Sequence, residues 1–145
     1  MLSQEGLEQG RVVEANAVLL TCIAGSLASV GDAALTDRRV AFNQQINAIT
    51  PAEDVDAVFL YGMLKVSQPV IQHNASAGMK HIITKSRLEE TVLIKPPLAR
   101  QKKFAQIAVK LERLRAQQHE AERQAEHLFE TLLQRAFLGG EPLRR

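Results

Sequence analysis

The feature that most constrains this chain is a stretch of 40 residues, 98–137, that contains neither glycine nor proline. Alanine, leucine, glutamine, glutamate, lysine and arginine dominate it, and all six favour helix. The preceding Pro96-Pro97 pair suits the first turn of a helix, whereas Gly139-Gly140 and then Pro142 predict its end. We therefore expect one helix about 60 Å long.

Apolar side chains along this helix recur at alternating spacings of three and four residues, the pattern of a coiled-coil seam. A glutamine and two alanines interrupt the seam near its middle, and Phe129, Leu133, Ala136 and Phe137 widen the stripe near its end. The predicted helix-pairing residues are Phe104, Ile107, Leu111, Leu114, Gln118, Ala121, Ala125, Leu128 and Leu132.

The length of the helix predicts a partner for its seam. Residues 1–97 would fold to a radius of gyration near ~12.5 Å, which is too small to cover a stripe about 60 Å long. Since residues 1–97 contain no second long helix, we expect the seam to pack against another chain.

The pattern of residues 1–97 predicts a mixed α/β body with a small sheet and a helix. The helix is expected to bury Val55, Val58, Phe59, Met63 and Val66 and to end or bend at Pro69, and methionines and phenylalanines are assigned to the core. Residues 1–97 contain few predicted strands, and no clear first strand is visible near their start. We therefore interpret the body as part of a larger domain. We expect strands at 17–23, 30–35, 40–49, 81–84 and 91–95, a helix that begins at 51–54, a helical turn at 85–90, and domain boundaries that give 1–97, 98–138 and a tail, 139–145.

Composition places the chain among ordinary globular proteins, with 46% hydrophobic and 23% charged residues. No apolar run approaches the ~18 residues of a membrane span, and the single cysteine, Cys22, fits a reducing cytoplasm and a buried, small apolar role. Residues 1–97 carry more acidic than basic side chains, whereas residues 98–145 carry the excess that makes the whole chain +2. The body is therefore no general binder of polyanions.

Catalytic and cofactor motifs are missing from the sequence. It has no phosphate-binding or dinucleotide-binding glycine loop, and its four histidines are scattered without the spacing of metal ligands. Lys95-Pro96-Pro97-Leu98 lacks the amide and the aromatic ring that an amino-methyltransferase loop of this kind needs. We expect no enzyme activity, no cofactor and no metal.

Two polar groups suit DNA recognition instead. The amides of Asn43, Gln44 and Gln45 can pair with adenine edges, although bonding within a turn is the alternative. Lys80, His81, Lys85 and Arg87 form the densest basic group of the body, which fits either phosphate contacts or an ordinary solvated surface.

Four motifs in order carry a family resemblance: residues 22–27 with 40–49, residues 77–82, residues 95–101, and residues 128–137. Together they resemble the C-terminal target-recognition domain and conserved helical region of type I restriction–modification specificity subunits. The resemblance adds Ser26 to the candidate DNA contacts. The sequence departs from the family pattern at Gly25-Ser-Leu-Ala-Ser29, which lacks the usual second glycine and lysine, and at Arg100, where a glutamate is usual.

The resemblance implies a non-catalytic DNA reader that binds no cofactor. Two recognition domains, held apart by antiparallel long helices, would each read half of a bipartite sequence. Partners would be double-stranded DNA, methyltransferase (modification) subunits, a motor–nuclease subunit, and a second copy of this chain through the helix. The alternative is a truncated interaction protein without DNA function, which docks methyltransferase or specificity subunits through its helix.

Overall fold

The computed structural model describes residues 11–76 and 78–138. It confirms the mixed fold class, with small antiparallel sheets followed by a long C-terminal helix. The described elements, in chain order, are β1 (Arg11–Val13), β2 (Val18–Thr21), β3 (Ile23–Ala24), a 3₁₀ turn (Leu27–Ser29), β4 (Ala33–Leu35), β5 (Val40–Phe42), β6 (Ile46–Ile49), α1 (Ala57–Val66), α2 (Gln68–His73), β7 (His81–Ile82), α3 (Lys85–Glu89) and α4 (Leu98–Leu138).

The strands pair in three small antiparallel sheets within the described ranges. β2 is the central strand of β4-β2-β6, where Val18 lies opposite both Leu35 and Ile49. β1 pairs with β5, and β3 pairs with β7 through Ile23 with Ile82 and Ala24 with His81. The last pairing joins segments that are far apart in the sequence.

Cys22 lies where the chain changes its strand partners. The backbone N–H groups of Cys22 and Ile23 both donate to the carbonyl of Gln45, at 2.8 and 3.2 Å, which is the two-against-one pattern of a bulge. On the other side, Ile83 N–H donates to the Cys22 carbonyl at 2.9 Å. The strand therefore leaves β6 and meets β7 at this residue.

The core lies between the central sheet and the helices α1 and α2. Cys22 belongs to it, as predicted, and burial raises the pKa of its thiol. Thr36 is buried as well, and its hydroxyl accepts from Ala17 N–H at 2.9 Å and donates to the Glu14 carbonyl at 2.9 Å. The buried cluster consists of Val18, Leu20, Cys22, Val30, Leu64, Ile71 and Ile83.

Gly31 allows the chain to turn into β4 beneath α2. Its φ of 80° is in the left-handed region, and an added Cβ would lie 3.1 Å from Gln68 Cγ and 3.2 Å from Ile71 Cγ2. This turn shortens the strand predicted at 30–35 to Ala33–Leu35, while Val30 keeps its buried position.

Four further predicted strands differ from the structure. Residues 40–49 form two strands, β5 and β6, because the chain turns at 43–45 and each strand takes a different partner. Residues 91–95 form no strand, since the segment to Pro97 has no regular structure and Val92 and Ile94 are exposed. Residues 17–23 and 81–84 are likewise shorter than predicted, at Val18–Thr21 with Ile23–Ala24 and at His81–Ile82.

The first helix begins later than predicted. Residues 51–54 form a turn, and α1 starts at Ala57 because the Asp56 carboxylate accepts from Val58 N–H at 2.9 Å and Phe59 N–H at 3.0 Å. The predicted buried face is also displaced, since Leu64 is buried whereas Val66 is 79% exposed. The helix α1 ends at Val66, before Pro69, and Pro69 lies in the first turn of α2.

The predicted long helix is confirmed as α4, and its predicted terminator at 139–142 lies outside the described residues. The chain divides into two compact units inside this helix, the first ending at Ala105 and the second beginning at Gln106. No helix among the described residues is long and apolar enough to cross a bilayer.

Candidate nucleic-acid interface

Three loops adjoin the segment 22–24, where the strand changes partners; we call residues 25–29, 43–45 and 78–80 the junction loops. The first follows β3 directly. The second holds the Gln45 carbonyl that accepts from Cys22 and Ile23. The third leads into β7, whose His81 pairs with Ala24. Backbone pairing thus brings together three segments that are distant in the sequence.

The first junction loop is held at both ends. The Ser26 side-chain oxygen accepts from Ala28 N–H at 3.2 Å and caps the 3₁₀ turn. From α2, Gln68 Nε2 donates to the carbonyls of Ala28 and Val30 at 3.0 and 3.2 Å, and Gln72 Nε2 reaches both carbonyls at 3.2 Å. We call this pair of amides the glutamine clamp.

The second junction loop is a tight turn with three exposed amide side chains. Asn43 Oδ1 accepts from Gln45 N–H at 3.0 Å, so part of the Asn43 amide bonds within the turn. Gln44 and Gln45 are exposed, and it is the backbone of Gln45, not its side chain, that bonds to β3. The side-chain amides of Gln44 and Gln45 therefore take no part in the backbone hydrogen bonds between the strands.

The third junction loop presents Met79 and Lys80, both exposed. Met79 is fully exposed, so the assignment of methionines to the core is wrong at this position. His81 is half-buried because it lies in β7. Lys80 thus lies with Ser26 and the amides of the second loop around one short segment.

Lys85 and Arg87 lie on α3 and not in the junction loops. Lys85 Nζ lies 3.6 Å from Glu89 Oε1 on α3, and Arg87 Nη1 donates to the Asn74 carbonyl at 3.0 Å. Lys85 also lines a cavity of about 600 Å³, together with Arg11 and Phe42. Lys80 and His81 thus adjoin the segment 22–24 through the pairing of β3 with β7, whereas Lys85 and Arg87 each contact a residue outside the junction loops.

Charge distinguishes the junction loops from the rest of the body. None of the three contains aspartate or glutamate, although residues 1–97 are acidic overall. The next acidic residue after the first loop, Asp32, accepts from Gln68 Nε2 at 3.2 Å through Oδ1. Amide, hydroxyl and ammonium groups in such an arrangement suit hydrogen bonding and phosphate contacts. Within the described ranges, no three His, Cys, Asp or Glu side chains cluster as a metal site would require.

Sequence reasoning missed Gln68, Gln72 and Met79. Gln68 and Gln72 are four residues apart, a spacing that places two amides on one face of a helix. Met79 stands between Gly78 and Lys80, outside every predicted strand and helix, where a large apolar side chain has no periodic apolar face to join. Both signals are present in the sequence.

The predicted helix-pairing residues lie on the long helix α4. Phe104, in the first unit, packs edge-to-face on Phe59 with ring centroids 5.7 Å apart, close over Gly62, where a Cβ would meet Phe104 Cζ at 2.8 Å. In the second unit the large apolar seam residues are 46–61% exposed in the single chain. Those residues are Ile107, Leu111, Leu114, Leu128 and Leu132, and Gln118, Ala121 and Ala125 between them are exposed as well.

Comparison with known proteins assigns a family. Residues 3–126 match the sequence model described as "Type I restriction modification DNA specificity domain". The chain belongs to this family. No curated protein matches it significantly.

Solved structures share the fold of this specificity domain. The HsdS subunit from Thermoanaerobacter tengcongensis is 20% identical with a TM-score of 0.61, over 87% of this chain and 30% of that protein. A chain from a study of assembly and conformational transition of the type I R-M system is 24% identical with a TM-score of 0.62, over 88% and 32%. The S subunit from M. genitalium is 22% identical with a TM-score of 0.56, over 75% and 29%. The specificity domain described here thus spans about a third of the length of these proteins.

Proposed function

We propose that this chain is a non-catalytic DNA-recognition component of a type I restriction–modification complex, which reads one half of a bipartite sequence. Membership of the specificity-domain family supports DNA recognition as the general role. The observation that carries the proposal for this chain is the gathering of the three junction loops around the segment 22–24.

The junction loops would divide the work of DNA binding by chemistry. Gln44 and Gln45 carry side-chain amides, each of which can form a bidentate hydrogen bond with the edge of an adenine in the major groove. Lys80 would neutralise a phosphate, and Ser26 would bond to the backbone or to a base edge. The acid-free surface of these loops suits a polyanion, because carboxylates nearby would repel the phosphates.

The second unit would pair with another long helix through the exposed seam. Leu111, Leu114 and Leu128 are about half exposed in the single chain, so a facing helix would remove a large apolar surface from water. In a two-fold dimer with antiparallel helices, the two recognition units would read an inverted bipartite sequence. Methyltransferase and nuclease subunits would dock on the helices and domain flanks and supply the catalysis.

Salt-dependent binding to duplex DNA tests the recognition role. Purified chain is titrated with fluorescent duplexes selected from a random pool, at several salt concentrations. Gln44→Ala should lower affinity for the selected sequence more than for random DNA. Lys80→Ala should weaken binding to all sequences and reduce the salt slope by about one.

Lys65→Ala is the matched control for the lysine, since Lys65 is exposed at the end of α1 and outside the junction loops. It should leave both affinity and salt slope unchanged. A wild-type chain that shows no salt-dependent DNA binding would refute the recognition role.

A second candidate is an interaction protein that docks on a methyltransferase or specificity subunit through α4 without binding DNA. The exposed seam favours this role, because its apolar side chains can pack against a partner helix whether or not DNA is bound. Retention of a purified modification subunit by wild-type chain, in the absence of any DNA binding, would identify this role.

A further inference from the structure

Among the described residues of the first unit, Met79 is the least shielded large apolar side chain. Its side chain is fully exposed at the tip of the third junction loop, while the buried cluster of the unit is built from other residues. Leaving such a side chain in water forgoes the free energy of burying it. Loop tips are usually glycine, asparagine, aspartate or serine, so turn formation does not select the methionine.

Open space surrounds the backbone on both sides of this tip. A Cβ built on Gly25, which follows the paired residue Ala24, would have no atom within 4 Å. A Cβ on Gly78 would meet nothing closer than the Lys80 carbonyl, at 3.7 Å. A ligand can therefore approach the backbone closely at both glycines, of which Gly78 directly precedes Met79.

The charge around the tip selects the kind of ligand. Lys80 follows Met79 directly, and the junction loops carry no carboxylate. Loops that carry a lysine and no carboxylate, with Met79 fully exposed and Leu27 partly exposed, fit the major groove of DNA, where each thymine presents a C5-methyl group beside hydrogen-bonding base edges and phosphates. Methionine is unbranched and flexible, so its side chain can extend into the groove and pack against such a methyl group.

We propose that Met79 is a specificity-determining residue that packs against the C5-methyl group of a thymine, while Lys80 beside it contacts a phosphate. The inference rests on the proposed DNA-recognition function and adds to it the base chemistry that this loop reads. The two side chains then have separable effects, since Met79 governs sequence preference and Lys80 governs overall affinity.

Replacing thymidine by deoxyuridine removes only the methyl group and therefore tests the contact directly. The duplex preferred by the wild-type chain is made with each thymidine replaced in turn, and the dissociation constants are compared. One replacement should weaken wild-type binding about threefold to fivefold. Met79→Gln, which keeps the length of the side chain, should bind the thymidine and deoxyuridine duplexes equally well at that position.

Val92→Gln is the matched control, because Val92 is 93% exposed but lies outside the junction loops. It should retain the full sensitivity to deoxyuridine. The proposal is overturned if no replacement affects wild-type binding, if Met79→Gln keeps the sensitivity, or if Met79→Gln instead loses only the binding of a modification subunit. In each of these cases wild-type DNA binding and the effect of Lys80→Ala would remain, so the proposed function would stand without the thymine contact.

Discussion

Gln101 Oε1 accepts a hydrogen bond from the backbone N–H of Asp56 at 2.9 Å, which joins the first turns of α4 to the N-terminal cap of α1. The Nε2 atom of the same side chain donates to the carbonyls of Pro96 and Asp54, at 2.8 and 3.2 Å. Gln101 is 0% exposed. One amide therefore satisfies three backbone groups from two segments of the first unit, residues 54–56 and Pro96.

Gln101→Ala should destabilise the first unit by about 2–4 kcal/mol, because it leaves those buried backbone groups without partners. Urea unfolding followed by the fluorescence of Tyr61 measures this, since Tyr61 is the single tyrosine of a chain without tryptophan and lies in α1. Gln106→Ala, at an exposed glutamine of the same helix, should change the unfolding free energy by less than about 0.5 kcal/mol. Equal effects of the two substitutions would contradict the role given to Gln101.

The glutamine clamp should show strong coupling between its two members. Because Gln68 and Gln72 both donate to the carbonyls of Ala28 and Val30, either amide alone can still serve them. Each single alanine variant should cost about 0.5–1 kcal/mol, and the double variant about 2–3 kcal/mol. Urea unfolding of the four proteins gives the coupling energy, with His73→Ala as a control on the same helix. Strictly additive losses would mean that the two amides act independently.

The carboxylate of Asp54 should titrate at unusually low pH. A hydrogen bond from Lys95, together with its charge, lowers the pKa of Asp54 below the ordinary value. Since the folded-state pKa is the lower one, the pair stabilises the fold above the unfolded pKa of about 3.9 and loses this effect as pH falls through the folded value. NMR titration of the Asp54 side-chain carbonyl should show a higher pKa in Lys95→Met. An unchanged pKa in that variant would show that the pair does not form in solution.

Self-association through the helix seam should be sensitive to charge at Leu114. In the proposed pairing, Leu114→Glu would place an unpaired carboxylate in an apolar seam, and the association constant should fall about tenfold or more. Sedimentation equilibrium measures this, and circular dichroism confirms that the helix remains. Ala116→Glu adds the same charge off the seam and should associate as the wild type does. A wild-type monomer at micromolar concentration, with the helix formed, would rule out pairing with a second copy.

Local patterns predicted the helices better than the strands. The range 98–137 was predicted almost to the residue because α4 lacks helix breakers, and its periodicity needs no tertiary information. The predicted strand at 40–49 is two strands because the turn at Asn43 reflects pairing with different partners, which a local pattern does not contain. The segment 91–95, with its apolar run at 92–94, predicted a strand, yet Val92 and Ile94 are exposed in a segment that finds no partner strand among the described residues.

The candidate interface was predicted only in its chemistry. Amides at 43–45 and a lysine at Lys80 were visible as residue types suited to DNA. Their meeting point depends on two non-local pairings, Ala24 with His81 and the Gln45 carbonyl with Cys22 and Ile23. Sequence proximity placed Lys80 and Lys85 together, whereas the strand β7 and the cap at Thr84 divide them.

The bulge at Cys22 and Ile23 has a consequence for how such a reader can diversify. Gln45 holds the bulge with its main-chain carbonyl, and a main-chain carbonyl is the same whichever amino acid stands there. A gene can therefore accumulate new codons at positions 44 and 45 while the scaffold beneath keeps its bonds. Under the proposed function, single codon changes at these two positions would alter the recognised sequence while the main-chain bonds to Cys22 and Ile23 remain.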